Sequence, residues 1–98
     1  MPIAQPVGPD QPNARADVRI LQRLLNGQPS APGLVEDGLY GINTWTALAA
    51  SRPDGDDRHP VTPGGEDVPR LIAGLADGAE RVRFGCVFAE AASDRLAR

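Results

Sequence analysis

The apolar positions fall into three groups at helical spacing, separated by stretches rich in proline, glycine and acidic residues. Val18, Leu21, Leu24 and Leu25 form the first stripe, with Ile20 at its edge. They predict an amphipathic helix from about Ala14 to Asn26, with Asn13 placed to cap it and Gly27 to end it. Ile42, Trp45, Leu48 and Ala49 predict a second helix that starts after Gly41 and runs to about Ser51, where Pro53 and Gly55 stop it. Val68, Leu71, Ile72 and Leu75 predict a third, from Asp67 to Asp77, with Pro69 in its first turn and Gly78 beyond its end. Gly74 inside that pattern costs about 1 kcal/mol relative to Ala, which points to close packing there.

The segments around these helices are of three kinds. Residues 1–12 carry Pro2, Pro6, Pro9 and Pro12 and predict an extended leader, packed or loose. Residues 52–67 form a long polar connection, the length at which a loop is functional or mobile. Residues 79–98 read two ways: Arg81 to Phe88 alternates for a while as a strand would, yet Phe84, Val87, Phe88 and Ala91 share a helical stripe. Helix is the better reading, because a lone strand in a helical bundle has no ladder partner. The expected fold is all-α: a small three-helix bundle over residues 13–78, with a C-terminal segment packed on its core or docking a partner.

Between the first two stripes lies Glu36-Asp37-Gly38-Leu39-Tyr40-Gly41-Ile42-Asn43-Thr44-Trp45, a tight loop running directly into a helix. Asp37 before Gly38 is a turn signal, since a short carboxylate accepts hydrogen bonds from nearby backbone amides. Gly38 and Gly41 are expected to hold angles that residues with a Cβ avoid, so that Ala at either should cost at least about 1 kcal/mol.

Composition narrows the function. At 98 residues the chain is one domain that buries a core with little reserve. A net charge of -3 argues against a general binder of nucleic acid or anionic membrane. No apolar run approaches the roughly 20 residues of a membrane span. The start shows neither the basic nor the apolar region of a secretory signal, so the expected location is cytoplasmic, or periplasm or cell wall by a non-classical route. The lone Cys86 excludes an internal disulfide framework and reads as a small core residue.

Candidate chemistry is sparse. Asp54, Asp56 and Asp57 suggest a calcium loop, but a loop starting at Asp54 would need Gly at position six and Glu at position twelve, where His59 and Gly65 stand. One His and one Cys do not make a zinc set. No Ser-His-Asp arrangement, Cys-His neighbourhood or phosphate loop is visible, so the chain reads as non-catalytic, without cofactor or metal. Arg15, Arg19 and Arg23 share one helix face, either a solvated surface or a positive strip that meets carboxylates.

A helix ending Leu21-Gln22-Arg23-Leu24-Leu25-Asn26, a polar loop, Asp37-Gly38-x-x-Gly41-x-x-Thr44 and a second helix together resemble the peptidoglycan-binding-domain family of small helical modules. Pro53-Asp54-Gly55 and Pro63-Gly64-Gly65 resemble the continuation found in part of that family, so the likeness spans roughly residues 7 to 77. Ser51-Arg52 departs from it, standing where the family commonly has Phe-Gln. The resemblance implies that Asp37, Gly38, Tyr40, Gly41 and Thr44 build the loop, with Tyr40 mostly core and its hydroxyl reaching water or a partner. It implies a module that binds the glycan or stem peptide of peptidoglycan and holds a linked or partner activity, such as a cell-wall hydrolase or a secreted effector, on the wall. Ligand contact is expected on one rim, from Asn43, Trp45 and Arg52. Trp45 and Arg52 are seven apart and would share a face if the helix continued that far, Trp45 stacking on a sugar and Arg52 pairing with a carboxylate. The first reading of Trp45 by itself is a lid over the core, and the stacking platform beside Asn43 comes second. The alternative, favoured by the missing signal and the Phe84 and Phe88 segment, is a protein-docking adaptor of a secretion system or phage particle that keeps the fold without binding glycan.

Overall fold

The first helix is the axis on which the other parts are packed. In a computed structural model describing residues 3–30 and 32–84, α1 (Arg15–Asn26), α2 (Ile42–Ser51) and α3 (Asp67–Ala73) follow in chain order, and residues 78–84 are again helical. The fold is all-α, as the apolar spacing predicts. Val18, Leu21, Leu24 and Leu25 of α1 are fully buried, each contributing roughly 1.5–3 kcal/mol. Both α2 and α3 contact α1. From α3 come Val68, Leu71 and Ile72, followed by Leu75. From α2 comes a single fully buried apolar side chain, Leu48, so α2 is held by little hydrophobic area.

The leader is packed into this core rather than loose. Ile3 and Val7 are buried beside α1, and Val7 exchanges two backbone hydrogen bonds with Val61, at 2.9 and 2.7 Å, in an isolated antiparallel bridge. Periodicity does not reveal such a bridge, because one residue on each side has no pattern. Asp17, buried in the first turn of α1, accepts the N–H groups of Ala4 and Gln5 at 2.9 and 3.1 Å. Asn13 does not cap α1. It lies in the left-handed region (φ 50°), and its side chain accepts from the Gly8 N–H and donates to the Gly8 carbonyl. Ala14 holds the cap position without a side-chain bond. The physical reason is competition: a short amide bonds equally well to a turn that precedes it as to a helix that follows.

The third helix is shorter than its apolar pattern. It ends at Ala73, with Gly74 as its C-cap, and the chain turns so that Ala76 N–H reaches the Gly27 carbonyl at 2.9 Å. A Cβ on Gly74 would collide with Gln28 Oε1, and one on Gly27 would come within 2.5 Å of Leu75 Cδ2. The close packing expected at Gly74 is therefore present, between this corner and the end of α1. Helix resumes over 78–84, where Phe84 packs against the core and Glu80 pairs with Arg23 at 2.7 Å. Cys86, Val87, Phe88 and Ala91 lie outside the described residues.

Candidate functional site

The Asp-Gly loop is held from below by Gln22. This side chain, 1% exposed, accepts the Gly38 N–H at 2.9 Å, and its Nε2 shares two hydrogens among Thr44 Oγ1, the Leu39 carbonyl and Asp37 Oδ1, each 3.1–3.2 Å away. Asp37 Oδ1 also accepts the Leu39 N–H at 2.9 Å, the turn that Asp before Gly predicts. These bonds hold the Asp37 carboxyl below the usual carboxylate range, the Leu39 amide contributing most and Gln22 next. One turn along α1, Asn26 brackets Leu34 through both its N–H and carbonyl and reaches Glu36. Arg15 and Arg19 donate to the carbonyls of Asp37 and Glu36. With Arg23 on Glu80, each member of the arginine strip has a partner within the chain. The motif residues Gln22, Asn26, Asp37, Gly38 and Thr44 are thus spent on building the loop.

The two loop glycines differ. Gly38 has φ +76°, and a Cβ there would sit 2.5 Å from the Arg15 carbonyl oxygen. Gly41 is the N-cap of α2 at φ −129°, ordinary extended backbone, with open space where a Cβ would point. The expectation of a glycine-only conformation therefore holds at Gly38 and is corrected at Gly41. Gly41 is a cap position that happens to lack a side chain.

The three residues expected on one rim are separated. Asn43 is exposed beside a shallow groove shared with Leu34, Val35, Ala47 and Ala50. Trp45, half-buried, faces the other way, into a concavity of about 370 Å³ lined by Pro9, Tyr40, Gly41 and Ile42. Its indole N–H donates to the Asp57 carbonyl at 2.7 Å.

Arg52 is not on that face. It is the C-cap of α2 in extended conformation (φ −87°, ψ 139°), because Pro53 disfavours helix in the residue before it. Its guanidinium, 8% exposed, forks onto Asp67 at 3.0 and 2.9 Å and donates to the Asp56 carbonyl at 3.0 Å. The bond to Asp67 raises the Arg52 pKa. Burial pushes the Asp67 carboxyl up, but its bonds to Arg52 and Arg70 outweigh this and leave it low. Arg52 thus closes the end of α2 with an ion pair.

Tyr40 packs against the core, as expected, but its hydroxyl is buried and has no hydrogen-bond partner among the described residues. Burial raises its pKa, the Arg52 charge acting against it. The concavity beside it combines an aromatic pair, an exposed isoleucine and a proline, with no charged lining residue. Such a surface takes the face of one sugar ring or one apolar side chain.

The 52–67 loop carries the expected calcium candidates, and they serve as turn formers. Asp54 accepts the Asp56 N–H, and Asp56 accepts those of Arg58 and His59 and touches the His59 ring. The Arg58 amide first, then His59, lowers the Asp56 pKa from 3.8 to about 2. Pro9, Ile42 and Asp57 are the site residues that sequence reasoning missed; Ile42, expected on the inward stripe of the second helix, is 70% exposed. Pro9 comes from the leader, and Asp57 contributes only a backbone carbonyl, a group with no sequence signature.

No protein-family model matches the chain, and no characterised protein or solved structure is significantly similar to it.

Proposed function

We propose that this chain is a non-catalytic recognition module for peptidoglycan, with ligand contact at the concavity of Trp45, Tyr40, Ile42 and Pro9. The observation that carries the site is the Trp45 ring, half-buried and tethered at its N–H, standing beside an uncharged aromatic and aliphatic hollow. The resemblance of the Asp37 to Thr44 loop supports the ligand class. A tethered tryptophan offers a stacking face with little ordering left to lose on binding. Carboxylate pairing by Arg52 is dropped from the reading, since Asp67 occupies that guanidinium. In this role the module holds a linked or partner activity on the wall. Sedimentation with purified insoluble peptidoglycan tests it: wild type should be retained and folded Trp45→Ala released, and equal retention of both removes the site.

A second reading has its own observation. Val35, Leu39 and Ile42 are 75%, 61% and 70% exposed around the same loop. Aliphatic side chains standing out in this way suit a protein partner, as in a docking adaptor of a secretion system or phage particle. A wild-type protein that ignores peptidoglycan but loses a partner on Leu39→Asp would establish this reading in place of the first.

A further inference from the structure

The walls of the Trp45 concavity come from two separate parts of the chain, the leader at Pro9 and residues 40–45, and one loop bonds to both parts. Residues 53–66 leave α2 at Arg52 and rejoin helix at Asp67, so the forked Arg52–Asp67 pair closes the loop at its base. The same guanidinium holds the Asp56 carbonyl at 3.0 Å, and the next residue, Asp57, accepts the Trp45 indole N–H at 2.7 Å. Further along, Val61 bonds Val7, and Pro60 lies against Gly8 so closely that a Cβ there would meet its Cα at 2.8 Å. Gly8 precedes Pro9, the leader wall of the concavity. The loop therefore fixes Trp45 on one side and Pro9 on the other, and Arg52 fixes the loop.

We propose that Arg52 is a positioning residue for the Trp45 concavity: paired with Asp67, it holds the 52–67 loop so that Asp57 orients the tryptophan and the leader completes the opposite wall. This rests on the reading of that concavity as the ligand site. The Arg52 position, where the chain departs from the family-like pattern, then acts on recognition without touching ligand. Arg70 supplies the internal comparison. It pairs with the same carboxylate at 2.7 Å, yet makes no side-chain hydrogen bond to the loop.

Trp45 is the only tryptophan in the chain, so its fluorescence and its indole N–H signal report on this one side chain. In the wild-type protein the indole N–H should exchange with solvent about tenfold more slowly than in a free indole, as one retained hydrogen bond allows. In Arg52→Gln the protection should vanish, the emission should shift to longer wavelength, and acrylamide quenching should rise. Arg70→Gln should leave all three unchanged. Peptidoglycan retention should fall in Arg52→Gln and stay at wild-type level in Arg70→Gln. Arg52→Gln added to Trp45→Ala should cause no further loss of retention. An unprotected indole in wild type overturns the proposal even if Arg52→Gln does not fold. So does a folded Arg52→Gln with unchanged emission, or an Arg70→Gln that shifts the signals equally. If wild type shows the clamp signature but does not bind peptidoglycan, the positioning role stands and the ligand assignment fails.

Discussion

Replacing Gln22 by Leu should show how much of this fold rests on one buried amide. Leucine is close in size, so the change removes polar contacts without opening a large cavity. Two of the groups it abandons, the Gly38 N–H and Thr44 Oγ1, are buried and have no route to water. Each orphaned group costs about 1–3 kcal/mol, or about 2–6 kcal/mol together. The other two, the Leu39 carbonyl and Asp37 Oδ1, are only part-buried and exchange their bond for water at smaller cost. Burying methyl groups in place of an amide returns about 1–2 kcal/mol. At the middle of these ranges the net loss is about 2.5 kcal/mol. A domain of this size loses about 4–8 °C in Tm per kcal/mol, so a fall of about 10–20 °C is expected by circular dichroism. Adding Thr44→Val should recover part of it, since the valine leaves no unpaired hydroxyl, and the coupling should be on the order of 1 kcal/mol. A Gln22→Leu protein that melts within about 2 °C of wild type, or a strictly additive double variant, would refute the account of the loop.

Gly38→Ala should cost about 2–4 kcal/mol from a left-handed φ plus collision with Arg15, whereas Gly41→Ala should shift stability by less than about 1 kcal/mol; equal melting temperatures for the two would be the failure. Trp45→Ala should cost about 1–3 kcal/mol, less than a core tryptophan, and remain folded by circular dichroism. Asp37, Asp56 and Asp67 all have folded pKa values below their ordinary ones, so their contribution to stability is full above about pH 4 and is lost as pH falls through the folded values, near 2 for Asp56; urea midpoints should be flat from pH 7 to 5 and drop below 4. Truncation after Asp77 removes the Phe84 contact and the Arg23–Glu80 pair, and should lower Tm, while truncation after Phe84 should retain more of it; thermal melts of the two decide.

The existence of the three helices, the apolar face of α1 and the turn at Asp37 were determined by the sequence alone, because they depend on spacing within one segment; the face of α2 was not, since Ile42, placed in its apolar stripe by spacing, stands 70% exposed. Val18, Leu21, Leu24 and Leu25 face one way on any helix, and Asp before Gly favours a turn through bonds made within the segment itself. What Gln22, Arg52 and Trp45 do was decided only by tertiary structure, since each finds its partner in a segment distant in sequence. Gln22 reads as one polar residue in a helical pattern until Gly38 and Thr44 are brought over it. Arg52 reads as an exposed cation seven residues after Trp45, until Pro53 ends the helix and Asp67 arrives beneath it. Asp57 enters through a backbone carbonyl, which every residue type carries, so only the path of the folded chain could place it against Trp45.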